Sequence, residues 1–109
     1  MRVAIPIDRD RRCADLAACE GVSLIDVDDR ERIIVGHQEK ALPRRSPGPL
    51  SGWLAERGVG LVIVGVLDDT AKFVMRRRGI VVLADAPAWS PERLVETFLF
   101  GEIAPGARA

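Results

Sequence analysis

One apolar run, residues 61–66 with the sequence LVIVGV, constrains the fold of this chain more than any other stretch. It is the longest apolar run, and it is rich in β-branched residues, which favour strands. An apolar run of this kind is typical of a strand that is buried on both faces of a sheet. It is much too short to cross a membrane. The rest of the chain must therefore cover this sheet on two sides or extend it.

The residues that follow the run complete a strand–helix–strand unit. Asp68 or Asp69 can cap the start of a helix. Gly79 can end that helix, directly after the arginines at 76–78, whose charge suits the negative end of the helix dipole. The apolar residues 80–83 predict a second buried strand. Two strands joined by one helix are expected to be parallel, with a right-handed crossover.

The remaining patterns predict one α/β domain. Strands are expected at residues 2–7, 22–27 and 32–37, a loop at 38–49, a short helix around 50–54 that stops before Gly58, and a last helix from Ser90-Pro91 to Gly101. The second and third strands are expected to form an antiparallel hairpin. Residues 1–104 are therefore expected to form a five-stranded mixed sheet flanked by three helices, with residues 105–109 as a flexible tail.

Length and charge exclude several classes of protein. The chain has 109 residues, enough for one modest core, and its 16 Lys+Arg balance its 16 Asp+Glu. A general nucleic-acid-binding protein needs a net basic surface, so no nucleic-acid partner is expected. The first residues do not resemble a signal peptide, and no apolar run reaches membrane length. These features predict a cytoplasmic protein without a membrane partner, in which cysteines stay reduced.

Several polar and glycine residues follow the strands that are expected to be parallel. Asp8 follows the first strand, the turn 65–69 follows the buried run, and Asp85 follows the last strand. The carboxyl ends of parallel strands meet at one edge of an open α/β sheet, and ligands bind at that edge. We therefore expect any ligand of this chain to bind there.

Five sequence fragments, in their order and spacing, are similar to those of a known family. They are RVAIPID at 2–8, LIDVDD at 24–29, PGPL at 47–50, LAERGV at 54–59 and LFGEI at 99–103. Over nearly its whole length, the chain resembles the dinitrogenase iron–molybdenum cofactor biosynthesis family. The resemblance implies a ribonuclease-H-like fold and a nitrogen fixation accessory protein that binds an iron–sulfur or iron–molybdenum cofactor-like cluster. It also implies partners among cofactor-biosynthesis or nitrogenase-type proteins.

The two binding motifs of that family are altered in this chain. The family has Ser-x-His-Phe-Gly after the first strand, and its histidine is the usual candidate for a cluster ligand. Here Cys13 stands at the serine position and Asp15 at the histidine position. The family also has a Gly-Gly-x-Gly turn after the buried strand, of which only Gly65 is present. The resemblance implies that Cys13, Asp15 and Gly65 belong to the cofactor-binding region.

Two cysteines, Cys13 and Cys19, flank Asp15 in the loop that the resemblance assigns to the cluster. Thiolates are the usual ligands of iron–sulfur clusters, and a carboxylate can complete such a site. Cys13 and Cys19 are therefore the candidate metal ligands, with Cys13 the leading one. Arg12 and the other arginines of residues 8–12 could hold an anionic cluster by charge-assisted hydrogen bonds. The competing interpretation is that both cysteines are small buried core residues.

Three further side chains are candidates for a role in binding. His37 is the only histidine, and we expect it at the end of the third strand rather than among the ligands. Trp53 has the spacing of a core residue on its helix, whereas Trp89 is the better candidate for a surface anchor that contacts a partner.

Three hypotheses about function follow. The first is a non-enzymatic accessory protein that binds or carries a cluster. The second is a cofactor-free interaction module with the same fold. The third is a metal-dependent nuclease, since carboxylates at Asp8, Asp68, Asp69 and Asp85 are expected near one edge. Zero net charge and the use of aspartates as helix caps argue against the nuclease. The sequence does not predict an oligomeric state.

Overall fold

The computed structural model describes residues 1–42 and 46–101. The strands are β1 Arg2–Ile7, β2 Gly21–Asp28, β3 Ile33–Ala41, β4 Val59–Ile63 and β5 Val81–Leu83, and the helices are α1 Pro47–Glu56, α2 Asp69–Arg77 and α3 Pro91–Leu99. A short 3₁₀ turn, Leu16–Ala18, lies between β1 and β2.

The five strands form one mixed sheet in the order β3-β2-β1-β4-β5. Strand β1 is parallel to β4, and β4 is parallel to β5. The pairs β1–β2 and β2–β3 are antiparallel, as the hairpin pattern predicts. Strand β4 therefore lies in the interior of the sheet, and the expected five-stranded mixed sheet with three helices is confirmed.

The side chains of residues 61–64, at the end of β4 and directly after it, alternate between two hydrophobic cores. Leu61 and Ile63 belong to the core beneath α3, whereas Val62 and Val64 belong to the core beneath α1 and α2. This alternation is the pleat of an extended strand. It explains why the run 61–64 contains no polar residue, since each of its side chains faces one core or the other.

Each face of the sheet is covered by its own helices. On one face, Leu50 and Leu54 of α1 pack with Ala71 and Met75 of α2. On the other face, α3 contributes the fully buried side chains of Leu94 and Val95. No helix of the described residues is both long enough and apolar enough to cross a membrane.

The helix caps correspond to the local sequence signals. The carboxylate of Asp68 accepts a hydrogen bond from the Ala71 N–H at 2.7 Å, so Asp68 rather than Asp69 caps α2. Ser90 Oγ accepts a hydrogen bond from the Arg93 N–H at 3.3 Å at the start of α3. Gly79 follows α2 with a φ of +78°, a conformation that suits glycine.

The structure corrects the expected loop at residues 38–49. Strand β3 continues to Ala41, which pairs with Gly21, and α1 begins at Pro47. Residues 38–40 are polar because β3 is an edge strand whose side chains face solvent, so backbone pairing with β2 outweighs their low strand propensity. Proline suits the first position of a helix because its missing N–H has no partner there. The expected tail at 105–109 lies outside the described residues.

Replacing Val64 with aspartate should prevent folding. Val64 is 0% exposed, and its side chain lies in the α1–α2 core. A carboxylate without a partner at this position should cost on the order of 5 kcal/mol or more, comparable with the whole stability of a small domain.

Val35→Asp is the matched control, because Val35 is 61% exposed on the edge strand. We expect its free energy of unfolding to stay within about 1 kcal/mol of the parent value. Urea unfolding followed by circular dichroism measures both variants. A cooperative transition for Val64→Asp at the urea concentration of the parent would contradict the two-sided burial of this run.

Candidate functional site at the carboxyl edge of the sheet

The three parallel strands end together, at a boundary that we call the carboxyl edge. Backbone hydrogen bonds continue beyond the strands themselves. The Val64 N–H donates to the Leu83 carbonyl at 3.0 Å, and the Asp85 N–H donates to the Gly65 carbonyl at 2.8 Å. The expected meeting of these strand ends is therefore observed, with Gly65 at its centre.

Residues 13–15, the edge segment, lie across this boundary. The Ala14 N–H donates to the Pro6 carbonyl of β1 at 3.0 Å, and the Ala14 carbonyl accepts from the Gly65 N–H at 3.0 Å. The Cys13 N–H donates to the Trp89 carbonyl at 2.9 Å. The edge segment thus connects β1, the turn after β4 and the loop before α3.

The carboxylate of Asp15 binds directly to the turn after β4. Asp15 Oδ1 accepts a hydrogen bond from the Val66 N–H at 2.6 Å, and both residues are exposed. A hydrogen bond from a backbone amide to a carboxylate is stronger than one between neutral groups. Asp15, one of the candidate cofactor-binding residues of the sequence, therefore holds the turn after β4.

The close approach of Asp15 explains the glycine at position 65. A Cβ on Gly65 would overlap Asp15 Oδ1 and would lie 3.1 Å from the Asp15 nitrogen and 3.2 Å from the Ala14 carbonyl carbon. The two backbone contacts are tighter than ordinary Cβ contacts, so a side chain at position 65 would have to displace the edge segment. Glycine therefore suits position 65 because the edge segment packs against it.

Cys13 is buried in the α3-side core and is 4% exposed. Its sulfur lies 3.9 Å from the Ile63 carbonyl. Burial raises the pKa of the Cys13 thiol to about 12, and the negative charges of Asp15 and Asp8 raise it further, whereas a hydrogen bond with the Gly65 backbone lowers it. Cys13 is therefore a protonated thiol at neutral pH in this conformation, and a protonated thiol is a poor metal ligand.

Cys19 is also buried, but in the core on the α1–α2 side, with its sulfur 3.2 Å from the Leu16 carbonyl. The two candidate metal ligands thus lie on opposite faces of the sheet, because the chain crosses its edge between them. In this conformation the structure does not bring Cys13 and Cys19 together. Among residues 1–42 and 46–101, no group of three or more His, Cys, Asp or Glu side chains is arranged to hold a metal ion.

The arginines of residues 8–12 differ in their contacts. The guanidinium of Arg11 pairs with Glu39 and lies 3.4 Å from Glu92, so it joins the loop to β3 and α3. Arg12 is exposed, and its carbonyl accepts a hydrogen bond from the Asp8 N–H at 3.0 Å. Of these two arginines, Arg12 is the one whose charge can meet a ligand in solution.

His37 takes part in a hydrogen-bonded network that the sequence did not indicate. Its Nε2 lies 2.5 Å from Ser23 Oγ, and its Nδ1 lies 3.0 Å from Glu92 Oε1. His37 lies within β3 rather than at its end. Ser23 is fully buried, so its hydroxyl cannot reach a substrate, and the network joins β3 to α3. Only the hairpin register, which places position 23 beside 37–39, could have suggested it.

The tryptophans and the candidate nuclease carboxylates have local structural roles. Trp53 and Trp89 each pack partly buried against a core, with arginine guanidinium groups 3.9 Å and 3.7 Å from their ring centres.

Asp68 caps α2, and Asp8 accepts hydrogen bonds from the N–H groups of Asp10 and Arg12. The described part of the chain therefore does not assemble the carboxylate group that a two-metal nuclease needs.

Comparisons with known proteins identify relatives by structure. No model of a known protein family matches the sequence, and a search of curated proteins finds no match. The crystal structure of PH0822 matches with a TM-score of 0.78 at 20% identity, over 93% of this chain and 92% of that chain. The apo form of the orange protein from Desulfovibrio gigas matches with a TM-score of 0.75 at 18% identity, over 97% of this chain and 92% of that chain. At these identities, the likeness shows a shared fold.

Gly65→Ala should destabilise the protein by about 1–3 kcal/mol, because the added methyl group must displace the edge segment. The matched control is Gly60→Ala, since a Cβ on Gly60 meets no atom within 4 Å. We expect that variant to be unchanged or to gain up to about 1 kcal/mol from a less flexible unfolded chain. Urea unfolding measures both changes. Equal stability of the two variants would contradict the close packing of residues 13–15 on Gly65.

The buried thiol of Cys13 predicts a loss of stability in alkali. Between about pH 8.5, the usual thiol pKa, and pH 12, the unfolded chain releases this proton while the folded chain keeps it. The contribution of Cys13 to the free energy of unfolding is therefore intact below pH 8.5 and falls as pH rises, by up to ~1.4 kcal/mol per pH unit.

Urea unfolding in reducing buffer between pH 8 and 10.5 measures this slope. We expect the free energy of unfolding of Cys13→Ala to fall less steeply with pH than that of the parent. This holds whatever stability the substitution costs at neutral pH. Equal slopes would show that the thiol is already ionised or accessible in the folded chain.

Proposed function

We propose that this chain is a non-enzymatic accessory protein that carries a small anionic iron–sulfur or iron–molybdenum cofactor-like cluster at the carboxyl edge. One observation carries the proposal: the Val66 N–H, at the centre of this edge, already binds an anionic group, the Asp15 carboxylate. The fold adds support, because the orange protein that shares it is described in its apo form, a term for a binding protein without its ligand.

The residues present favour one way of holding such a cargo. Ligation by the two cysteines does not fit this conformation, because their thiols lie in different cores and the Cys13 thiol keeps its proton. An anionic cargo would instead be held by the backbone N–H of the turn after β4 and by the charge of Arg12. Donor or acceptor proteins of the cofactor-biosynthesis or nitrogenase type would exchange the cargo at this exposed edge.

The proposed role is binding without catalysis. Three carboxylates near the edge are used in local hydrogen bonds: Asp8 within its loop, Asp15 to Val66 and Asp68 as a helix cap. Each stabilises backbone geometry, which favours a rigid scaffold for a bound group over an acid–base mechanism.

A cofactor-free interaction module is the second candidate function. It is favoured by the hydrogen bonds that close the edge, from Gly65 N–H to Ala14 and from Val66 N–H to Asp15. In that case the closed edge would itself be the surface that a partner protein recognises.

Anaerobic reconstitution with iron, sulfide and molybdate, followed by metal counting per chain, tests the proposal. We expect the parent to retain metal after desalting, and Arg12→Ala to retain at least about threefold less, because a charge-assisted contact is lost. Arg76→Ala is the matched control, since Arg76 is exposed in the last turn of α2. Cys13→Ala should retain as much metal as the parent.

The other outcomes have definite meanings. A parent that retains no metal would remove the carrier function and leave the interaction module as the leading candidate. A folded Cys13→Ala variant that loses its metal would show that a thiolate holds the cargo, contrary to the mode of binding proposed above.

A further inference from the structure

We propose that Asp15 is an internal competitor for the ligand of the turn after β4. Its carboxylate occupies the Val66 N–H that an incoming anion would use, so the chain keeps its own binding edge closed until the side chain is displaced. This inference rests on the proposed function, because it describes how that same edge is regulated.

The contact between Asp15 and Val66 blocks the turn both sterically and electrostatically. Asp15 Oδ1 lies 2.6 Å from the Val66 nitrogen, so a second acceptor cannot reach the same N–H along its axis. Asp15 also brings a negative charge to the place where an anionic ligand would bind. A ligand must therefore displace this carboxylate, and its apparent affinity is reduced by the fraction of chains in which the turn is open.

The backbone around Asp15 can stay in place while its side chain moves. Before Asp15, Cys13 is buried with its N–H bound to the Trp89 carbonyl, and Ala14 is held by Pro6 and Gly65. After Asp15, Leu16 is buried. Asp15 itself is exposed, so its carboxylate can rotate into water, where it is fully solvated.

Opening the turn therefore requires one side-chain rotation rather than unfolding of a loop. Because both hydrogen-bonding groups are exposed, water replaces their contact, and the net cost of opening is modest. A contact of this strength suits a reversible closure, since a ligand with additional contacts can overcome it.

The test uses inorganic phosphate as the probe, titrated into ¹⁵N-labelled full-length chain at constant ionic strength, with the Val66 amide resonance as the readout. We expect Asp15→Ala to bind phosphate at this amide at least about tenfold more tightly than the parent. Asp15→Asn should lie between them, because its amide oxygen still accepts a hydrogen bond but carries no charge.

The matched control is Asp10→Ala, which removes one negative charge from the neighbouring loop. The Asp10 backbone N–H donates to Asp8 in both forms, so the loop geometry is kept. We expect its phosphate affinity to stay within about twofold of the parent, since only distant screened charge changes. Hydrogen exchange of the Val66 amide gives a second readout, which should be faster in Asp15→Ala than in the parent.

Two results of the phosphate titration and the exchange measurement would overturn the inference. One is phosphate binding by Asp15→Ala that is no tighter than by Asp10→Ala. The other is unchanged exchange of the Val66 amide, which would show that the carboxylate does not protect it. If Asp15→Ala fails to fold, the same comparison is made with Asp15→Asn. That variant must still bind phosphate more tightly than Asp10→Ala does.

The failure of this inference is distinguishable from the failure of the proposed function. If the parent retains no metal but Asp15→Ala binds phosphate more tightly, the result would support competition by Asp15 for the turn. It would also reject the proposal that the chain carries a cluster. Equal metal retention by the parent and Asp15→Ala would support the carrier and overturn the competitor.

Discussion

The burial of β4 on both faces is the constraint on which the rest of the structure depends. Its alternating side chains face two separate cores, and each fully buried aliphatic side chain contributes about 1.5–3 kcal/mol relative to exposure. A strand of this kind cannot lie at an edge or face solvent. The sheet therefore places β1 on one side and β5 on the other, with helices covering both faces. The position of Gly65 at the centre of the carboxyl edge follows from this burial.

The residues of the turn after β4 form a consistent set. Glycine suits position 65 because the backbone of Ala14 and Asp15 would have to shift to admit a side chain there. The next positions of the turn do not need glycine, since Val66 is 63% exposed and Asp68 caps α2. The turn thus binds a carboxylate from its own chain: Gly65 has no side chain to hinder the approach of Asp15, and the Val66 N–H donates to this exposed residue. These residues therefore form an edge that is closed by a contact within the chain itself.

The two cysteines illustrate how topology limits chemistry. They are close in sequence, yet the chain between them passes over the edge of the sheet and places their thiols in different cores. An apolar surrounding and nearby carboxylates raise the pKa of the Cys13 thiol to about 12, which favours the protonated form. Both residues thus contribute to packing, whereas Asp15 and Arg12 are exposed.

The sequence by itself determined the features that depend on near neighbours. The apolar run 61–66, the cap at Asp68 and the glycine at 79 define a strand–helix–strand unit, because propensity, capping and burial act within one turn or one strand. Tertiary structure alone decided the extension of β3 to Ala41, the separation of Cys13 from Cys19, and the contact between Asp15 and Val66. These features join residues that are distant in sequence or depend on the face of the sheet. Their geometry is fixed by strand order and register, which result from the burial of the whole core and are not encoded in any short pattern.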